Sequence, residues 1–151
     1  MSRVFNGVDE LRAAKGQQIG ASDWLTITQE RIDQFADATD DHQWIHVDAE
    51  RAKDGPFGST IAHGFLSLSL LVPMVWSAYT VEGVKMGVNY GLNKVRFTSP
   101  VKVGSRVRGN VELVDVSDVQ GGVQVTTKVT VEIEGSERPA LIAEWITRQY
   151  V

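Results

Sequence analysis

The sequence predicts an α+β fold in which an antiparallel sheet curls round one buried helix. Three observations predict it. Helical periodicity fills the first half of the chain and strand periodicity the second, the order of an α+β fold. From Phe65 to about Tyr79 the residues are apolar on almost every side, as in a helix wrapped by other structure. After Gly83 apolar residues recur at every second position, and the earlier strands each keep one polar face.

Val8 to Ala14 fits a short amphipathic helix closed near Gly16, and Trp24-Leu25-Thr26-Ile27 a short strand. Thr28 is placed to cap a helix running to about Ala38, with Ile32, Phe35 and Ala36 on its buried side. The Thr39–Asp41 segment ends it. Asp48 caps a short helix through Ala49-Glu50-Arg51-Ala52-Lys53, stopped at Gly55-Pro56. In the long apolar helix, Pro73 is expected to introduce a kink or end the first part. Met86, Val88, Tyr90 and Leu92 form the apolar face of one strand, Val107, Val111 and Leu113 that of the next. Val123, Val125, Val129, Val131 and Ile133 mark a third. Ala140 to Tyr150 is apolar on both sides as far as Ile146, apart from Glu144, and is expected to lie centrally. Ser117–Gly122 and Glu134–Glu137 are the turns between them.

A chain of 151 residues, 42% hydrophobic and 23% charged, fits one folded domain over residues 1–151 rather than a disordered one. The net charge of -4 argues against a dedicated nucleic-acid binder. Without cysteine there are no disulfides or thiolate zinc sites, which suits a reducing cytoplasm, the expected location. No apolar signal core opens the chain, and the run from Gly64 to Tyr79 is too short and interrupted to span a membrane.

All three histidines lie between positions 42 and 63. A carboxylate and an imidazole such as Asp41 and His46 can together hold and polarise one water. The plainer alternative is a helix-capping Asp and a surface His. His42, His46 and Asp48 carry an H-x-x-x-H spacing without a clean helix or the glutamate of H-E-x-x-H, so no metal is expected. His63-Gly64 opens the apolar helix, and such a histidine more often bonds a backbone carbonyl than acts in catalysis. Glycine there leaves an N–H free and lets a ligand approach, which suits an oxyanion formed from a carbonyl. Between Gly83 and Val111 stand six basic residues (Lys85, Lys94, Arg96, Lys102, Arg106, Arg108) and no acidic one. The even-numbered ones among them could share a polar strand face that attracts an anionic ligand.

The stretch Asp41-x-Gln43-Trp44-Ile45-His46-x-Asp48, followed by Ala52, Phe57, Ile61 and Ala62-His63-Gly64-Phe65-Leu66, resembles the hydratase-2 motif of the MaoC-like (R)-specific enoyl-CoA hydratases. Its variant residues are similar to the nodulation-protein-N-like branch. Asn93-Lys94-Val95-Arg96-Phe97-Thr98-Ser99-Pro100-Val101 resembles that family's later R-F-x-x-P-V strand. The resemblance implies a hot-dog fold, usually paired into a homodimer. It implies reversible addition of water to a trans-2-enoyl-CoA, in fatty-acid metabolism, giving an (R)-3-hydroxyacyl-CoA. Asp41 and His46 fall on the catalytic dyad, either one serving as base, and Gly64 falls on the backbone donor to the thioester carbonyl. Gln43 and His63 are expected beside them at the oxyanion and substrate end, with Lys94 and Arg96 as CoA phosphate ligands. CoA enters as part of the substrate, and no cofactor is expected. Asp40 replaces the family's glycine, Gln43 its asparagine and Trp44 its proline. Two rival activities remain: a hot-dog thioesterase, and a non-catalytic acyl-CoA or acyl-carrier binding subunit.

Overall fold

Short helices precede a long-stranded sheet in a computed structural model that describes residues 2–151. Strand β1 (Arg3–Phe5), helix α1 (Val8–Ala13) and strands β2 (Gln18–Ala21) and β3 (Leu25–Thr26) come first. Helices α2 (Gln29–Thr39), α3 (Trp44–Val47), α4 (Ala49–Lys53), α5 (Gly64–Ser69) and α6 (Leu71–Ala78) follow. Strands β4 (Tyr79–Val81), β5 (Met86–Phe97), β6 (Arg106–Val119), β7 (Gly122–Ile133) and β8 (Leu141–Tyr150) complete the chain.

The main sheet runs β2-β6-β7-β8-β5, with β3 also paired to β6, and every pairing in it is antiparallel. β8 lies between β7 and β5, as its two apolar faces predicted. Helix α6 crosses β2 and β6 at close range. A Cβ on Gly20 would come 2.6 Å from the Ala78 carbonyl oxygen, and one on Gly109 would come 3.1 Å from the Met74 sulfur. Leu66, Leu71, Met74 and Ala78 thereby join Val107, Val111, Val129 and Leu141 in one core. This is the expected hot-dog arrangement. The parallel pair β1–β4, which ties the N-terminus to the end of α6, is an addition to it.

Pro73 divides the apolar helix as expected, with the break at Leu70 (φ -73°, ψ -7°), three residues before it. Proline acts upstream: it has no N–H to give Ser69, four residues back, and its ring crowds that carbonyl. Two expectations need correction. The helix is not wrapped on every side, since Phe65 and Trp76 are 69% and 71% exposed on one helical stripe. The second correction concerns β5. Its register against β8 shifts twice, between Asn89 and Gly91 and between Leu92 and Lys94. A shift of one residue turns side chains to the other face. Leu92, Val95 and Phe97 therefore oppose the buried Trp145, Ala143 and Leu141. Met86, Val88 and Tyr90 turn to the other face, and because β5 is an edge strand Leu92 and Phe97 also stay 42% and 50% exposed.

Candidate active site

The site begins where α2 ends. Thr28 caps this helix by accepting the Arg31 N–H at 3.1 Å, and Asp40 closes it in the left-handed conformation (φ 62°, ψ 20°). Glycine usually takes such a position, and Asp is one of the few side chains that tolerate it. That is what the glycine-to-Asp40 replacement means for the backbone. The turn delivers Asp41 to the surface, next to the single turn of α3, which carries His46 inward.

His46 is 7% exposed. Its Nδ1 lies 2.7 Å from the Ile61 carbonyl oxygen. A carbonyl can only accept, so Nδ1 carries the proton and Nε2 keeps a lone pair. The segment is tied down by Gln29, whose amide donates to the His46 carbonyl at 2.8 Å and accepts the Thr60 hydroxyl at 2.6 Å. His63 lies beside Asp41 and His46, 3% exposed, and takes the structural role weighed for it, bonding a main-chain carbonyl. Its Nε2–H donates to the Asp41 carbonyl oxygen at 3.0 Å, and its ring stacks on His46 with centroids 3.8 Å apart. Phe35 packs on the same ring at 4.9 Å.

Asp41, His46 and His63 thus bring one ligand-type atom each to within 4.8 Å of one another. Both histidine rings would have to point at one ion along their own planes to share it. Their planes are only 21° from parallel in the stack, so no nearby point lies in both. The set is better shaped to hold and polarise a water. Burial pushes the His46 pKa below its ordinary value and the neighbouring His63 adds to this, against the Ile61 carbonyl and the Asp41 charge. A neutral imidazole is a base. His42, by contrast, sits outside, bonded through Nε2 to Asp37 at 2.8 Å, which raises its pKa. Histidine-resolved NMR should therefore find His46 titrating below about 6.5 and His42 above it. As pH falls through the window between 6.5 and the lower His46 value, the unfolded chain binds the proton first. Both stability and the basic form of the site are lost there with falling pH. Equal titration of the two rings would contradict this account.

Gly64 is the first residue of α5, and among the described residues its N–H has no hydrogen-bond partner. Phe97 of β5 presses on it: an added Cβ would meet the ring at 3.2 Å. A cavity of about 240 Å³ adjoins, lined by Gly64, Ala62, Ser67, Phe97 and Pro100 among others. Gln43 occupies the N-cap of α3, exposed and without a side-chain hydrogen bond. Lys94 and Arg96 lie exposed on β5 just before Phe97, in no ion pair among the described residues. The common basic face does not form. Arg106 pairs with Glu134 at 2.7 Å, Arg108 pairs with Glu132, and both guanidinium groups lie over Trp24. Gln29, Ile61 and Phe97 were not foreseen as site residues: Ile61 and Phe97 stand in the quoted motifs, but those do not show a main-chain oxygen or a ring edge at work, and Gln29 lies outside them.

A family model described as a MaoC like domain matches residues 10–134. The chain is 60% identical over 147 residues to a Mycobacterium tuberculosis protein named 3-hydroxyacyl-thioester dehydratase Z, covering 97% of each. It is 56% identical over 135 residues to nodulation protein N of Rhizobium leguminosarum, covering 87% of this chain and 84% of that one. Among solved structures, a monoamine oxidase regulatory protein of Archaeoglobus superposes with a TM-score of 0.78 at 29% identity, over 100% of this chain and 99% of that one. An R-hydratase of Pseudomonas aeruginosa, at 24% identity and a TM-score of 0.70, covers 90% of this chain and 81% of its own and shares the fold.

Proposed function

The chain belongs to the MaoC-like domain family, and on that premise we propose that it is an (R)-specific enoyl-CoA hydratase. It adds water reversibly to trans-2-enoyl-CoA to give (R)-3-hydroxyacyl-CoA, in the fatty-acid metabolism of the cytoplasm. The observation that carries this reading is the grouping of Asp41, His46 and His63 within 4.8 Å of one another, with Gly64, whose N–H has no partner among the described residues, next in the chain to His63.

In the proposed reaction Asp41 and His46 hold the water. His46 Nε2 takes one proton as the oxygen attacks C3, and the dyad returns one proton to C2. Both additions come from the face on which the dyad stands, which gives syn addition. The Gly64 N–H donates to the thioester oxygen, which gains negative charge as the enolate forms. The thioester itself is the electron sink, so the chemistry calls for no metal or redox group. His63 serves as a positioning residue, fixing the Asp41 main chain and keeping the His46 ring upright by stacking. Incubation with crotonyl-CoA tests the reading. Loss of the enoyl absorbance is the expected result. Release of free thiol would make the protein a thioesterase, and neither change would make it a binding subunit.

The active form is proposed to be a homodimer joined along β5. This strand is twelve residues long, forms one edge of the sheet and exposes Met86, Val88 and Tyr90. An open apolar edge of that length is a ready template for a second strand. Light scattering should give twice the 16.6 kDa chain mass at micromolar concentration, and a Val88→Asp, Tyr90→Asp double variant should be monomeric. A fully active monomeric wild type would refute the assembly.

Lys94 and Arg96 are proposed to contact the CoA phosphates. Lys94→Ala and Arg96→Ala should then raise KM for a CoA thioester far more than for a pantetheine thioester, and added salt should weaken the CoA substrate selectively. Equal effects on both substrates would reduce the pair to surface charge.

A further inference from the structure

The cavity of about 240 Å³ beside Gly64 shares two residues with the candidate site: Gly64 itself, and Ile61, whose carbonyl holds the His46 ring. Three residues with hydroxyls line it, Ser67, Thr98 and Ser99. Thr98 is committed, donating to the Pro139 carbonyl oxygen at 2.5 Å. Ser99 is half-buried on the loop after β5. Ser67 is different. It is 4% exposed, and its hydroxyl makes no hydrogen bond among the described residues. The unpaired side-chain atoms that are sealed from water there are His63 Nδ1, Arg108 Nε and Gln149 Oε1. The Ser67 oxygen is not one of them, so it stays open to the cavity that its residue lines.

The reason for the free hydroxyl is local. A serine inside a helix ordinarily gives its proton to a carbonyl one turn back. Ser69 does so to Phe65 at 2.7 Å, and Ser77 to Met74 at 3.1 Å. For Ser67 that carbonyl belongs to His63. It already accepts two N–H groups, from Leu66 at 3.0 Å and from Ser67 itself at 3.2 Å. A carbonyl oxygen has two lone pairs, so the hydroxyl is left over. Helix geometry then aims it. Ser67 stands three residues after Gly64, on the same face and about 4.5 Å along the axis. A helical side chain tilts towards the N-terminus, and Gly64 has no Cβ to stand in its way. This directs the hydroxyl towards the Gly64 end of the cavity, where the Gly64 N–H is also without a partner among the described residues and the Phe97 ring offers no donor.

We infer that the Ser67 hydroxyl is a second hydrogen-bond donor to the thioester oxygen, a catalytic residue working beside the Gly64 N–H. The inference rests on the proposed hydration and deepens it. As the water oxygen bonds to C3, the C2–C3 π pair moves between C1 and C2, and the C1–O π pair moves onto the thioester oxygen. That oxygen then carries negative charge and has lone pairs for more than one donor. The main-chain N–H satisfies one and the serine proton another. Protonation of C2 returns the pair and removes the charge, so the bond is worth most in the transition state. A serine kept only for folding would behave otherwise. A buried hydroxyl without a partner costs stability, so its removal does the fold no harm.

Ser67→Ala tests the inference. Its kcat for crotonyl-CoA should fall by roughly 100-fold with KM little changed, while the thermal midpoint holds or rises. Ser67→Thr keeps the hydroxyl and should recover most of the rate. A folded Ser67→Ala protein with wild-type turnover would overturn the inference, whatever Ser99→Ala does. A second readout needs no turnover. The carba analogue of butyryl-CoA, with a methylene in place of the thioester sulfur and a heavy carbon isotope at the carbonyl, neither hydrates nor hydrolyses. Its infrared carbonyl stretch falls in wavenumber with each hydrogen bond accepted. The stretch should lie lower on the wild type than on Ser67→Ala, and equal values would overturn the inference. If no enoyl-CoA is hydrated, the proposed function fails and this comparison alone decides. A lower stretch on the wild type upholds Ser67 as a carbonyl donor, and an unchanged one removes it.

Discussion

Asp41→Asn and His46→Ala each lower hydration of crotonyl-CoA by roughly 100- to 10,000-fold, the usual cost of removing a general acid or base. The two variants fail differently. Asp41 is exposed, and of its own contacts with the site only the main-chain carbonyl is tied to a buried group, His63. Asparagine keeps that main chain and the side-chain shape, so the fold is unchanged and kcat falls. His46→Ala also strips the ring from the His63 stack and leaves the Ile61 carbonyl without its donor. It should therefore lose about 1–3 kcal/mol of stability as well. His46→Gln, which can still reach that carbonyl, separates the two effects: stability returns and rate does not. Near-normal turnover in a folded Asp41→Asn protein would sink the mechanism.

Gly20→Val lowers the unfolding midpoint by roughly 4–12 °C, from an overpacking cost of about 2–3 kcal/mol at this chain length. A Cβ at position 20 meets the Ala78 carbonyl oxygen at 2.6 Å, and that contact is main chain on main chain. No rotamer change can relieve it. Either β2 lifts from β6 or the end of α6 lifts from the sheet, and Ala78 is wholly buried there. Differential scanning calorimetry at fixed protein concentration measures the shift, and an unchanged midpoint would mean that helix and sheet do not pack at this distance.

Much of the fold was legible because local chemistry and global fold agree in it. Thr28 and Asp48 cap the helices they were expected to cap, by accepting the N–H of Arg31 and of Arg51. Asp41 and His46 were paired through a motif, since a spacing of five fixes nothing by itself, and the structure brings them together with His63 within 4.8 Å. That His63 bonds a backbone carbonyl was the commoner role for such a histidine; which carbonyl, that of Asp41, only the folded turn shows. β1, β2 and β4 were missed because strands of three or four residues are too short for a period of two to register. The apolar face of β5 was misjudged for another reason. Alternation was read as one unbroken series, and two bulges reset it.

The two borders of the main sheet are unlike. On one side lie β2 and β3, four and two residues long, the first with a register irregularity of its own. On the other lies the twelve-residue β5. A neighbour can add indefinitely only to a sheet with two willing borders, and here one of them offers too little straight backbone to grip. In the proposed homodimer, pairing β5 with its own copy about a two-fold axis would use up the long border of both chains at once. What would remain outside is a pair of short, broken margins, so growth would end at two chains. The same asymmetry that would invite a partner would also guard against a fibre.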